Sequence, residues 1–97
     1  MTLERSRILP ASRYRRRSDL LERQLADGFV VYDPHSERVH VLNEPARFVW
    51  ARCDERSTTA EIVAEVVAAT DTPAPQAAED VFGALSDLLR EKLVDAI

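Results

Sequence analysis

The stretch RVHVLNEPARFVW, residues 38–50, begins with the alternation of a strand and changes to helical spacing without an intervening loop. Val39 and Val41 are separated by His40, a period of two. Apolar side chains then fall at Ala46, Phe48, Val49 and Trp50, and the junction between the patterns is Leu42-Asn43-Glu44-Pro45. Asn43 suits a helix N-cap, because its side chain can accept from the unpaired amides of the first turn. Glu44 suits the positive end of the helix dipole. Pro45 is tolerated there, since the N–H it lacks would have no acceptor within the helix. A short strand is therefore expected to run straight into a helix, with Phe48, Val49 and Trp50 packing that helix under the sheet.

Upstream, FVVYD (29–33) is rich in β-branched and aromatic residues and reads as a strand. It is joined to RVHVL (38–42) by Asp33-Pro34-His35-Ser36, a turn sequence with proline preset at its second position. DLLERQLADG (19–28) is ambiguous: Leu21, Arg23 and Leu25 fit one face of a strand, while Leu20, Leu21 and Leu25 fit a helical turn. The turn signal Asp27-Gly28 favours the strand. Three strands with short loops imply an antiparallel meander.

Downstream, Asp54 to Ser57 is a polar break. Thr58 with Glu61 forms a capping box that opens a second helix through about Ala69, with Ile62, Val63, Val66 and Val67 as its apolar stripe. Thr72-Pro73-Ala74-Pro75 ends that helix. A third is expected from about Gln76 to Glu91, with a wide apolar face of Val81, Phe82, Leu85, Leu88 and Leu89. LVDAI (93–97) reads as a loose end that packs Leu93 and Val94 on the core. The expected fold class is α+β, winged helix-turn-helix-like: a three-stranded antiparallel meander followed by three helices.

At 97 residues, with 45% apolar and 31% charged side chains, the chain suits one small domain. The net charge of −4 is unevenly spread. Residues 1–17 hold six arginines and one glutamate (+5), and residues 18–97 hold seven basic and sixteen acidic residues (−9). The division expected is a flexible basic N-terminal arm, 1–17, and a folded domain, 18–97. The single cysteine, Cys53, allows no internal disulfide and falls in an apolar helical run, as a buried structural thiol does. No apolar stretch approaches the roughly 18 residues of a membrane span. There is no secretory signal pattern either, so a cytoplasmic location without a membrane partner is expected.

Residue types that carry chemistry are sparse. His35 falls in a turn and His40 in a strand, with no paired metal-ligand spacing around them. Gly28 and Gly83 are the only glycines, too few and too far apart for a phosphate loop. Ser36 and Ser57 have no base near them in sequence. Asp54-Glu55 and Glu79-Asp80 suit solvated faces and helix N-terminal charges. No catalytic residue, cofactor or metal is expected, and the chain reads as a binding module rather than an enzyme. A winged-helix DNA-binding regulator is the alternative, with RYRRR (13–17) gripping phosphates. The acidic body opposes it, as does the third helix, where Glu79, Asp80, Asp87 and Glu91 outnumber Arg90.

VHVLNEPARFVW (39–50), TTAEIVAEV (58–66), AEDVFGALSDLL (78–89) and the closing Leu93-Val94 together resemble the PqqD family. These are the peptide-binding domains also called RiPP recognition elements, found in the biosynthesis of ribosomally made, modified peptide natural products. The resemblance spans residues 20–95 and is most specific at the strand-to-helix junction. It implies that the leader of a precursor peptide binds as an added strand beside the third strand, in a cleft shared with the third helix. Carried onto this chain, the site would be Arg38, Val39, His40, Val41 and Leu42, with Asp80, Val81, Ala84, Leu85 and Leu88. The last strand of a meander has a free edge, and strand addition to such an edge is a common way to capture an extended peptide. The implied partners are a precursor peptide and a modifying enzyme, such as a radical SAM maturase or a leader peptidase. The chain itself is expected to be a monomer or a weak homodimer, with nucleic acid disfavoured. Where the family often carries a glycine before Leu-Val, this chain has Lys92, and a left-handed backbone there would cost about 1 kcal/mol.

Overall fold

A computed structural model describes residues 8–97. The expected meander is present: β2 (Leu21–Leu25), β3 (Gly28–Asp33) and β4 (Arg38–Leu42) pair antiparallel in that order. β1 is Arg13–Arg16. Leu42 leads directly into α1 (Glu44–Ala51), and the Asn43 side chain accepts from the Ala46 amide at 2.9 Å, as a cap should. α2 (Thr59–Thr70) opens with the reciprocal capping box: the Glu61 amide donates to Thr58 Oγ1 at 3.2 Å, and the Thr58 amide donates to Glu61 Oε1 at 2.9 Å. α3 (Ala74–Arg90) carries the widest apolar stripe.

Three segments differ from expectation, and they build one sheet together. The polar break is a strand, β5 (Asp54–Thr58), and the loose end contains another, β6 (Val94–Ala96). Both pair antiparallel with β1 in the order β5-β1-β6, so β1 is the middle strand of a second sheet. Residues 13–16 therefore belong to the folded body rather than to a flexible arm; residues 1–7 of that arm lie outside the described residues. The physical reason is Tyr14, which is 0% exposed and shares a 2.7 Å hydrogen bond with Thr59 Oγ1 at the start of α2. Burial pushes the Tyr14 hydroxyl pKa upward, an effect opposed by its hydrogen bonds to Thr59 and Ser12.

The arginines flanking Tyr14 are engaged as well. Arg13 donates to the Arg56 carbonyl, Arg15 pairs with Glu55 at 3.0 Å, and Arg16 donates to the carbonyls of Trp50 and Ala51. Arg17 forms a fork on Asp33 at 2.9 and 3.1 Å, pairs with Asp19 and donates to the Lys92 carbonyl. A cluster that reads as a phosphate grip is thus used within the fold.

The core lies between the sheets and the helices, around Val31, Val49, Trp50, Ile62, Val81, Leu85 and Leu93. Trp50 is 2% exposed, with its indole N–H donated to Glu22. Cys53 is buried, its Sγ 3.4 Å from the Val49 carbonyl, and burial pushes its thiol pKa up to about 12. That is the inert thiol expected. Among the described residues, no helix is long and apolar enough to cross a membrane.

Candidate peptide-binding cleft

β4 is an edge strand, and the direction of its free backbone groups follows from the turn before it. Ala26-Asp27 forms a two-residue connection between Leu25 and Gly28, so those two residues exchange both backbone hydrogen bonds. Alternation along an antiparallel ladder then sends the N–H and C=O of Phe29, Val31 and Asp33 towards β4. Their partners there are Leu42, His40 and Arg38. The N–H and C=O groups of Val39 and Val41 consequently point away from β3, at the open edge. Side chains alternate by the same rule. Those of His40 and Leu42 share a face with buried Val31 and turn towards the helices, whereas Val39 and Val41 are 60% and 73% exposed on the outer face.

Beside this edge lies a cleft of about 850 Å³. Its walls are Val39 to Leu42 on β4, Ala84, Asp87, Leu88 and Arg90 on α3 with Glu91 at its C-cap, and Asn43, Glu44 and Ala46 at the start of α1. Gln24 and residues Ala26 to Phe29 of the first hairpin, with Leu93, complete it. The lining contains four carboxylates against Arg90, which is itself held by Asp87 at 2.7 Å. Such a surface favours a basic or neutral guest over an acidic one.

Of the ten site residues inferred from sequence, Val39, His40, Val41, Leu42, Ala84 and Leu88 meet in this cleft. Arg38 stands at its end in an adjoining hollow and reaches Glu91 of α3 at 3.6 Å. Leu85 is wholly buried in the core. Asp80 and Val81 line a separate hollow of about 330 Å³ with Glu44, Pro45, Phe48 and Val66, one turn further up α3. Asp87 and Glu91 were missed. They continue the Ala84-Leu88 stripe at helical spacing, so the signal for them was the i, i+3, i+7 rule applied from Ala84.

α3 ends where β4 needs it to. The Leu93 amide donates to the Leu88 carbonyl at 2.9 Å and the Lys92 amide to the Leu89 carbonyl at 3.0 Å, a Schellman closure with Lys92 at φ 60°. That turn sends the chain into β6 and seats Leu93 at the cleft wall.

Known proteins agree with this architecture. Residues 28–94 match the family described as Coenzyme PQQ synthesis protein D (PqqD). Among solved structures, one described as TbiB1 in complex with the TbiA(beta) leader peptide superimposes with a TM-score of 0.72 at 17% identity, over 84% of this chain and 94% of that one. A second, lasso peptide synthetase B1 complexed with the leader peptide, gives 0.68 at 23% identity, over 87% and 96%. No curated protein matches the chain. At these identities the two structures establish a shared fold, and the match over residues 28–94 takes in β3 and β4 of the meander, β5, all three helices and the start of β6. The chain belongs to the PqqD family, the fold being that of RiPP recognition elements.

Proposed function

We propose that this chain binds the leader region of a ribosomally synthesised precursor peptide as an added strand on β4. It then presents that peptide to a separate modifying enzyme, such as a radical SAM maturase or a leader peptidase, and itself performs no chemistry. The observation that carries this reading is the open edge of Val39 and Val41 beside a peptide-sized cleft walled by α3. A guest strand would satisfy the unpaired backbone groups and place alternate side chains between β4 and the helix. The two similar structures, each complexed with a leader peptide, support it. Presentation to an enzyme is supported by the outer face of the meander, where Leu21, Val39 and Val41 remain exposed while the cleft side is occupied.

The test is calorimetric titration of the intact chain with the leader encoded beside its gene. A dissociation constant in the low micromolar range or tighter, about −8 kcal/mol, is expected. Absence of heat at high micromolar peptide, with no shift of the protein's amide resonances, would overturn the reading.

A further inference from the structure

A hollow of about 370 Å³ continues the cleft past the start of β4, and its charge differs from that of the cleft. Arg17, Arg38 and Arg90 face Asp33 and Glu91 there, with exposed Lys92 at the rim. Two of these arginines are committed. Arg17 is held by Asp33, Asp19 and the Lys92 carbonyl, and Arg90 by Asp87 at 2.7 Å. Arg38 touches Glu91 alone, its Nη1 3.6 Å from Oε2, which is beyond hydrogen-bond reach. Its side chain is 69% exposed, and its Nε and Nη2 meet no partner among the described residues. An arginine whose donor fork is open at the end of a cleft is matched to a carboxylate, which it can hold through two parallel hydrogen bonds.

Resting on the leader-binding reading above, we infer that Arg38 selects the guest sequence: its guanidinium takes the side-chain carboxylate of an aspartate or glutamate in the leader, at the position facing it across the β4 edge. Three observations converge. The first is register. Arg38, like His40 and Leu42, spends its backbone groups on β3, so it falls in a guest pair that exchanges no backbone bonds and brings facing side chains closest. Its side chain shares the helix-facing side with those two. The second is donor capacity. The Glu91 contact uses Nη1, so a guest carboxylate can take the Nη2 and Nε edge without displacing it. The third is the uneven charge along the cleft. Asp27 and Glu44 lie at its Leu42 end, whereas three arginines face two carboxylates at the Arg38 end, Lys92 aside. Of those two carboxylates, Asp33 is held by Arg17 and Glu91 shares Arg38 itself. An acidic guest residue is therefore opposed over most of the cleft and favoured at this end. Leu42, Ala84 and Leu88 form an apolar wall at the other. In a guest running antiparallel to β4, the better-bonded arrangement, the recognised pattern is an apolar residue facing Leu42 followed, on the same face, by an acidic one facing Arg38.

The experiment uses a random peptide library displayed on phage, selected in parallel on the intact chain and on Arg38→Gln, Arg38→Glu and Lys92→Gly. The unaltered chain is expected to enrich peptides with aspartate or glutamate at one fixed register, C-terminal to an apolar position. Arg38→Gln is expected to lose that preference and Arg38→Glu to turn it basic. Lys92→Gly, which removes a charge from the rim and leaves the Arg38 fork in place, should keep it. Replacing the acidic residue of a synthetic consensus peptide by its amide should weaken binding to the unaltered chain about fivefold or more, and to Arg38→Gln less than twofold. Thermal melts report which variants fold, and if Arg38→Glu does not, Arg38→Gln decides. Peptides enriched without an acidic register, an equal loss with the unaltered chain and Arg38→Gln, or a preference that vanishes in Lys92→Gly overturns the role of Arg38 while leaving leader binding intact. A library from which the unaltered chain enriches nothing overturns both.

Discussion

Lys92 closes α3 at φ 60°, a conformation that costs an L-residue about 1 kcal/mol and glycine nothing. Lys92→Gly should accordingly raise stability by about 1 kcal/mol, read as a higher melting temperature with leader affinity unchanged. Asp33 carries a second residue-scale consequence. The Arg17 guanidinium holds its carboxyl well below the usual carboxylate range, helped by the His35 amide at 2.9 Å. An acid whose folded pKa is depressed contributes stability that is complete above its unfolded value of about 3.9 and is lost as the pH falls through the folded value. Asp33→Asn should therefore melt below the unaltered chain at about pH 7, and the gap should close as the solution is acidified below about pH 4. Melting curves across that range check it, and a gap that is constant with pH would contradict it. At this scale the sequence was readable wherever the interaction was local. The Asn43 cap, the Thr58-Glu61 box and buried Trp50 and Cys53 follow from neighbours within a few positions. Asp33 and Arg17 did not announce each other, because sixteen residues and two strands separate them.

Between residue and fold, the elements divide by how they gain their stability. β3, β4 and the three helices carry their own periodicity, and they form where the apolar spacing places them. β1, β5 and β6 carry almost none. RYRR offers one apolar side chain among arginines, DERST (54–58) none, and VDA (94–96) is too short for a pattern. β5 and β6 exist because β1 supplies their hydrogen-bond partners, and β1 because both flank it, so their signal is tertiary. The wide stripe of α3 hid the site in a similar way: Val81, Leu85 and Leu89 face the core, and only Ala84 and Leu88 with their charged neighbours face the cleft. Periodicity showed a surplus of apolar surface without showing which flank was spare. Removing residues 1–17 deletes the middle strand and exposes the groups that Tyr14 and Arg17 bury. The shortened chain should lose its cooperative thermal transition, followed by circular dichroism. A shortened chain that melts like the full one would show that the second sheet is dispensable.

For the molecule as a whole, the two sheets have separate duties. The β5-β1-β6 sheet ties residues 13–16, the α1–α2 connection and residues 94–96 to the core, while the β4 edge of the meander is left unpaired next to α3. The acidic excess read in residues 18–97 survives at that cleft through Asp27, Glu44, Asp87 and Glu91, and Arg13, Arg15, Arg16 and Arg17 are engaged by partners within the fold. The cluster at residues 13–17 is tied to the fold, and the cleft beside β4 is mildly acidic. Strand addition at β4 makes a residue-resolved prediction, since only alternate amides face the guest. Amide hydrogen exchange followed by NMR, with and without the precursor's leader, tests it most directly. In the free protein the His40 amide should already be protected by β3, and those of Val39 and Val41 should exchange freely. On saturation with the leader, Val39 and Val41 should slow by about tenfold or more, as hydrogen-bonded edge amides do, with His40 changing little. A bound leader that leaves the Val39 and Val41 amides exchanging as before would contradict pairing at this edge.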